Sequence, residues 1–468
     1  MSSNLTIYND IKEPYVNYGL QHFLKKYNLS CVNDPQNADI YLSYLPPENC
    51  NARVKILFNT NAKDERCYLN INGEIIPTFK KSVETTGEYS LIEMTGENYN
   101  CLSIKDNCIT VGFDIFAEIG RILGGYYDSF FLKRDEFGKI LRGVPVVDAL
   151  ENVLFSAISR ILPESSVIQR FTWPDNKKFA LLLTHDVDRV YKTYQYLPSI
   201  LKSIKEVNLS EFRYYLKNLM FKHGNQNPYW TFDTICKLEN DLGLKSTYYF
   251  LNEKGKLNPF SLQSWILYRG YYDIDNPSIK ESIRKLVKLG YEIGLHGSNN
   301  SYNNLELLQN EKRILESITG SDITGIRQHN LNYDNNVTSN IHDKVGLKYD
   351  TSIGFNPGIG IGFRRGTSFP FRVILPDLTI SHVLEIPLII MDGALDRGVT
   401  LNDCFNMIDQ VEKYGGILTI LWHTQRFNRN EYPGMVDIYE KIINEAKKRG
   451  AWLSSTDEVC KLILTENI

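Results

Sequence analysis

The stretch FALLLTHDVD, residues 179–188, decides how the rest of the chain reads. Its first part, FALLLTH (179–185), is a near-continuous apolar run, the pattern of a strand buried on both faces of a parallel sheet. It then breaks into Asp186-Val187-Asp188, two carboxylates on alternate residues. Downstream, strand-like and helical segments alternate. Strand-like KSTYYFL (245–251) precedes a helical Pro277–Leu289 that stops at Gly290, and then comes strand YEIGLH (291–296). A helix over Leu305–Ile318, strand TGIRQH (324–329), a helix over 335–345 and strand LKYDTSI (347–353) follow. Strand VLEIPLII (383–390), helix 401–414, strand GILTILWH (416–423), helix 433–449 and strand AWLSS (451–455) complete the series. Such alternation argues for a parallel α/β barrel or a doubly wound sheet. Residues 190–230, helical, basic and rich in Tyr and Lys, read as an insertion after the first strand.

Upstream the rhythm differs. Short β-like runs at 38–45, 54–59 and 108–114 are followed by helical patterns over 115–126 and Val147–Ile161. This part holds a single histidine, His22, and reads as an α/β accessory domain over 1–165, ahead of a catalytic-type domain over 175–462. With 43% hydrophobic and 23% charged residues over 468 positions, the chain is globular rather than disordered. A net charge of −3 argues against nucleic acid as a partner. No apolar stretch is long enough to predict a membrane span, and the N-terminus has no basic-then-apolar leader. The eight cysteines form no CxxC pair. They are expected to be free thiols of a cytoplasmic protein.

The chemistry is positional. His185, Asp186 and Asp188 follow the first strand, His296 ends another, Arg327 and His329 end the next, Asp350 lies within the next, and His423 ends the late one. In parallel α/β folds these C-terminal strand ends converge on one face. Five of the eight histidines lie there or beside it: 185, 296, 329, 423 and, more loosely, 342. Each residue also has a plain reading. The aspartates could shape a turn, Arg327 could be an ion-pair partner, and His423 a packed histidine beside Trp422. Together they offer more. One aspartate can bind a cation while the other takes a proton, a neighbouring guanidinium keeps the second ionised, and a histidine serves as general acid. Aspartate and histidine with an open position suit zinc or a related divalent ion, which polarises a carbonyl. These are the parts for hydrolysing an amide or ester.

At this point the sequence resembles the polysaccharide deacetylase (NodB-homology) superfamily of carbohydrate esterases, over about residues 175–460. Thr184-His185-Asp186-Val187-Asp188 stands in the place of the family's Thr-Phe-Asp-Asp motif. The resemblance makes Asp186 the catalytic base and Asp188 a metal ligand. The second motif, His-Ser/Thr-x-x-His, reads His296-Gly297-Ser298-Asn299-Asn300, with His296 as a ligand and Asn300 where the second histidine would be. Arg327-Gln328-His329 stands for Arg-x-Pro, with Arg327 orienting the base. Asp350 takes the place of the fourth motif's catalytic aspartate, and Leu418–His423 that of the fifth, with His423 as general acid. Because Asn300 is a poor zinc ligand, His329 is the expected third metal ligand, two residues after Arg327 and so on its side of the strand. His185, adjacent to Asp186, points to the opposite face.

The family implies a NodB-like (β/α) barrel, irregular, with seven or eight strands, here preceded by an α/β accessory domain. Segments 362–371 and 384–391 resemble stretches of deacetylase-like proteins met among surface-polysaccharide genes. Arg364 and Arg365 lie there as contacts for an anionic group or as a solvated turn. The implied activity is metal-dependent, most simply zinc-dependent, removal of an N-acetyl group from a sugar, sugar nucleotide or glycan precursor. Hydrolysis of another amide, for example a cyclic one, and a non-catalytic glycan-binding module are the alternatives.

Overall fold

Two sheets organise the chain in the computed structural model, which describes residues 5–465 apart from 48–49, 98, 164–167, 194, 220–223, 254–259 and 261–270. The first sheet contains β1 (Thr6–Asn9), β2 (Ser30–Cys31), β3 (Ile40–Ser43), β4 (Val54–Phe58), β5 (Lys63–Ile71), β6 (Glu74–Lys81), β7 (Tyr89–Met94), β8 (Asn100–Lys105) and β9 (Cys108–Val111). Its order is β2-β1-β3-β4-β9-β8-β7-β5-β6, parallel from β2 to β9 and antiparallel from there on. The antiparallel half escapes a sequence reading. β5 opens on Lys63-Asp64-Glu65-Arg66 with all four side chains exposed, so its first half carries no apolar alternation.

The second sheet contains β10 (Phe179–Val187), β11 (Thr247–Leu251), β12 (Glu292–Gly297), β13 (Gly325–Gln328), β14 (Tyr349–Asp350), β15 (Phe371–Ile374), β16 (Ile380–Glu385), β17 (Ile390–Met391), β18 (Ile417–Leu421) and β19 (Ala451–Ser454). The order is β15-β16-β14-β13-β12-β11-β10-β18-β17, with β19 paired to the first half of β10. Every pairing is parallel except β15 on β16. The expected single strand over 383–390 is interrupted, because Pro387 has no N–H to give a ladder. The interruption links the two ends of the curled sheet. Ile386 N–H and Leu388 N–H donate to Asp350 and Ile353 carbonyls beside β14, while Ile389 N–H donates to the Thr419 carbonyl of β18. This is the curled, irregular α/β barrel that the motifs imply.

The alternation within β10 sets the site. Ala180 and Leu182 point into the interior with Tyr249, Tyr349, Phe369 and Leu384. Phe179, Leu181, Leu183 and Val187 point outward against the helices. Even-numbered residues therefore face the interior, which sends Asp186 inward and His185 outward. The interior is tight. A Cβ on Gly294 would lie 2.5 Å from the Tyr249 ring, and one on Gly325 would overlap the Tyr349 ring at 1.8 Å.

Buried polar contacts lock the two sheets together. Lys26 Nζ lies 2.7 Å from Asp148 Oδ1, and Asp148 Oδ2 accepts from Ser368 N–H at 2.9 Å. Arg365 is fully buried and donates to the Leu123 carbonyl and to Asn335, with Asp128 beside its Nε at 3.2 Å. It is thus neither a solvated turn nor open to a ligand. No described helix is long and apolar enough to cross a membrane.

Candidate metal centre

Asp188, just past the end of β10, is the hub. His296 Nε2 lies 3.0 Å from its Oδ1, while His423 Nε2 and His329 Nε2 lie 3.4 and 4.0 Å from its Oδ2. Each imidazole arrives from a different strand end: His296 from β12, His329 from the turn after β13, His423 from the turn after β18. Donor atoms of Asp188, His296 and His329 all lie within 4.8 Å of one another, a group that could hold a metal ion.

The ring orientations are fixed from behind. His296 Nδ1 lies 2.8 Å from the Arg327 carbonyl, His329 Nδ1 2.9 Å from Glu253, and His423 Nδ1 2.7 Å from Asp392. Carbonyl and carboxylate oxygens only accept, so each Nδ1 is the donor and each neutral ring turns a bare Nε2 toward Asp188. Acceptors facing acceptors require a cation or protons between them. Asp188 Oδ1 and His296 Nε2 are accordingly buried without a hydrogen-bond partner. The electrostatics agree. Burial works to raise the Asp188 carboxyl, but the imidazoles of His296, His423 and His329 around it hold it well below the usual range. Burial works to lower His296 and His423, yet Asp186 and Asp188 raise the first, and Asp392 and Asp188 raise the second well above its ordinary value. One carboxylate and two imidazoles with both rings oriented from outside are a donor set that fits zinc.

Asp186 sits beside this cluster. Arg327, fully buried, donates from NH1 to Asp186 Oδ1 at 2.9 Å and to Thr184 Oγ at 2.8 Å, and stacks 4.6 Å over the Tyr249 ring. The other oxygen, Oδ2, is 3.6 Å from His296 Nε2. A carboxylate held through one oxygen by a guanidinium keeps the second free to accept a proton.

Six of the seven residues singled out as base, acid, orienting group or ligand thus meet here: Asp186, Asp188, His296, Arg327, His329 and His423. The seventh, Asp350, does not. It is buried in β14, one oxygen accepting from Ser352 N–H and Oγ and the other 3.2 Å from His342 Nδ1. The aspartate that touches the cluster from behind is instead Asp392, which accepts from the His423 N–H and ring. Burial works to raise its carboxyl, but His423 and Arg426 hold it low. His342 belongs to the helix Thr338–Val345 rather than a strand end, and His185 turns away to Glu239 and the Trp422 carbonyl. Asn300 is exposed, its oxygen accepting from Asn299 at 3.4 Å. Glu253 and Asp392 were not read from the sequence. The signal was present, since each is the first carboxylate beyond a strand end.

No protein-family model matches the chain, and no curated protein sequence matches it. Among solved structures, it is similar to a Mycobacterium smegmatis protein assigned as a polysaccharide deacetylase, with 14% identity, 64% of this chain and 94% of that chain covered, and a TM-score of 0.41. A Pseudomonas aeruginosa protein with the same assignment gives 15% identity, 62% and 92% coverage and a TM-score of 0.40. A Bacillus anthracis pseudoenzyme of carbohydrate esterase family 4 gives 13% identity, 61% and 66% coverage and 0.30.

Proposed function

We propose that the chain is a metal-dependent hydrolase that removes an N-acetyl group from a sugar, as a sugar nucleotide or an unfinished glycan. The observation that carries this reading is the set of three imidazoles, each pinned through Nδ1, that present Nε2 to one aspartate beside an Arg-held second aspartate. Asp188, His296 and His329 would hold the cation, and zinc suits the donor set. When bound, such a cation polarises an acyl carbonyl and makes water a better nucleophile at neutral pH. The remaining steps belong to the protein. Asp186, anchored by Arg327, accepts the proton of the attacking water. His423, held by Asp392, delivers a proton to the departing amine. Burial of Arg327 and of the strand ends around it keeps the Asp186 ion pair out of bulk water, where it would be weakly coupled.

The test is acetate release by the zinc-loaded full chain from a panel of N-acetylated sugar nucleotides and oligosaccharides. Wild type is expected to release acetate, and Asp186→Asn to slow it by about 10²–10⁴-fold while still binding zinc. Undiminished release by Asp186→Asn rejects the assignment of the base. Zinc binding without release from any acetylated sugar would favour another amide or a binding role.

A further inference from the structure

Between β10 and β11 the chain inserts two helices, Tyr196–Lys205 and Leu209–Asn218, which pack against each other. Each is buried on one side only: Tyr196 and Ser203 turn inward from the first, Tyr215 from the second. At about 100° per residue, Leu197, Leu201 and Ile204 share a face roughly a quarter turn away from that buried side. All three are more than half exposed. The second helix repeats the design with Leu209, Phe212 and Leu216, of which Leu209 is 58% exposed. Val207, at the connection, is 88% exposed and held at φ 55°, an uncommon backbone for a β-branched residue. Seven large apolar side chains thus line one surface, all of them exposed except the half-buried Phe212.

Beyond each apolar strip runs a basic one: Lys202 and Lys205 on the first helix, Arg213 and Lys217 on the second. Lys202 reaches Glu206 only at 4.0 Å, and the other three have no ion-pair partner among the described residues. Residues 196–218 carry four cations against two carboxylates, in a chain whose net charge is −3.

We propose that this helical pair docks on an anionic lipid surface, its leucines, isoleucine and valine in the boundary between headgroups and acyl chains and its lysines and arginine on the lipid phosphates. A short amphipathic helix with an apolar strip and a basic flank is built for that interface. A second copy of the chain is the poorer occupant, because a self-paired face would set the four cations against their own like. The position has a consequence for the site. The pair leaves from the end of β10 that carries Asp186 and Asp188, and Lys192 ties its base to Glu431, beyond β18, at 2.6 Å. Docking would therefore bring the mouth of the barrel to the lipid surface. None of this depends on the hydrolytic chemistry, since no candidate metal-holding or catalytic residue lies in the helical pair.

The experiment is flotation of the full chain with vesicles of equal parts phosphatidylcholine and phosphatidylglycerol, alongside pure phosphatidylcholine. The chain is expected to float with the mixed vesicles at low salt and far less with the neutral ones. Leu201→Ser with Ile204→Ser, and separately Lys205→Glu with Arg213→Glu, should each lower binding by about tenfold or more without shifting Tm. Absence of flotation by wild type, or binding unmoved by both pairs of substitutions, overturns the proposal. So does light scattering that shows a dimer dissolved by Leu201→Ser with Ile204→Ser.

Discussion

His329 faces Asp188 through Nε2 because Glu253 holds its other nitrogen at 2.9 Å. Removing that carboxylate leaves the ring free to turn and its bare nitrogen unspecified. Glu253→Gln is therefore expected to weaken zinc affinity about 10–100-fold, measured by competition with a chelating dye. Unchanged affinity would mean that His329 is oriented by something else. The asymmetry between what was and was not legible is physical. Asp186 and His185 could be told apart because strand alternation is local. Glu253 and Asp392 could not be given roles because their partners lie 76 and 31 residues away, and nothing in a lone carboxylate announces which histidine it will meet. Asp350 misleads for the same reason. It matches the family's motif order, yet Ser352 and His342 occupy its oxygens.

Elements are held by shape as well as pattern. Strands β12 and β13 approach the interior tyrosines so closely that Gly294→Ala or Gly325→Ala must push a ring or a backbone aside. Each is expected to cost roughly 1–3 kcal/mol, read from urea denaturation. A wild-type-like midpoint would show that the rings can move. The helix Leu305–Thr319 places Glu311 behind the loop that follows His296, its Oε2 accepting from Ser298 N–H at 3.1 Å. Burial pushes this carboxyl up to about 7. The folded chain therefore keeps the proton where the unfolded chain has lost it. The resulting stabilisation is complete below the ordinary glutamate range and is lost as pH rises through about 7. Glu311→Gln should change Tm little near pH 5 and raise it relative to wild type near pH 8, by an amount on the order of 1–3 kcal/mol in stability. Identical pH profiles would remove Glu311 as the source. Most buried parallel strands and their helices were legible, since apolar runs and capping glycines such as Gly320 punctuate them. The hairpins of β5–β8 were not, because their exposed faces carry charge, and strand 383–390 was overcounted through Pro387.

For the whole molecule, the two sheets share buried charge rather than a linker's slack. Asp148 is fully buried with Lys26 and Ser368 on its oxygens, and burial, which works to raise its carboxyl, is outweighed by Lys26. Asp148→Ala would leave the buried Lys26 with Glu151 alone, 3.4 Å away, and Ser368 N–H without its acceptor, and is expected to cost about 3–5 kcal/mol. Calorimetry of wild type should show one cooperative transition, and two separate transitions would show that the halves melt independently. That a second sheet exists was legible from the change of rhythm near residue 175. How it locks to the first was not, since Arg365 and Leu123 are 242 residues apart in sequence. His329, rather than Asn300, is expected to complete the metal site with Asp188 and His296. Calorimetric titration of zinc into the metal-free full chain addresses it directly. One equivalent should bind to wild type and to Asn300→Ala with the same affinity, and His329→Ala should bind about 100-fold more weakly or not at all. Equal affinity in wild type and His329→Ala, or a loss confined to Asn300→Ala, would contradict it.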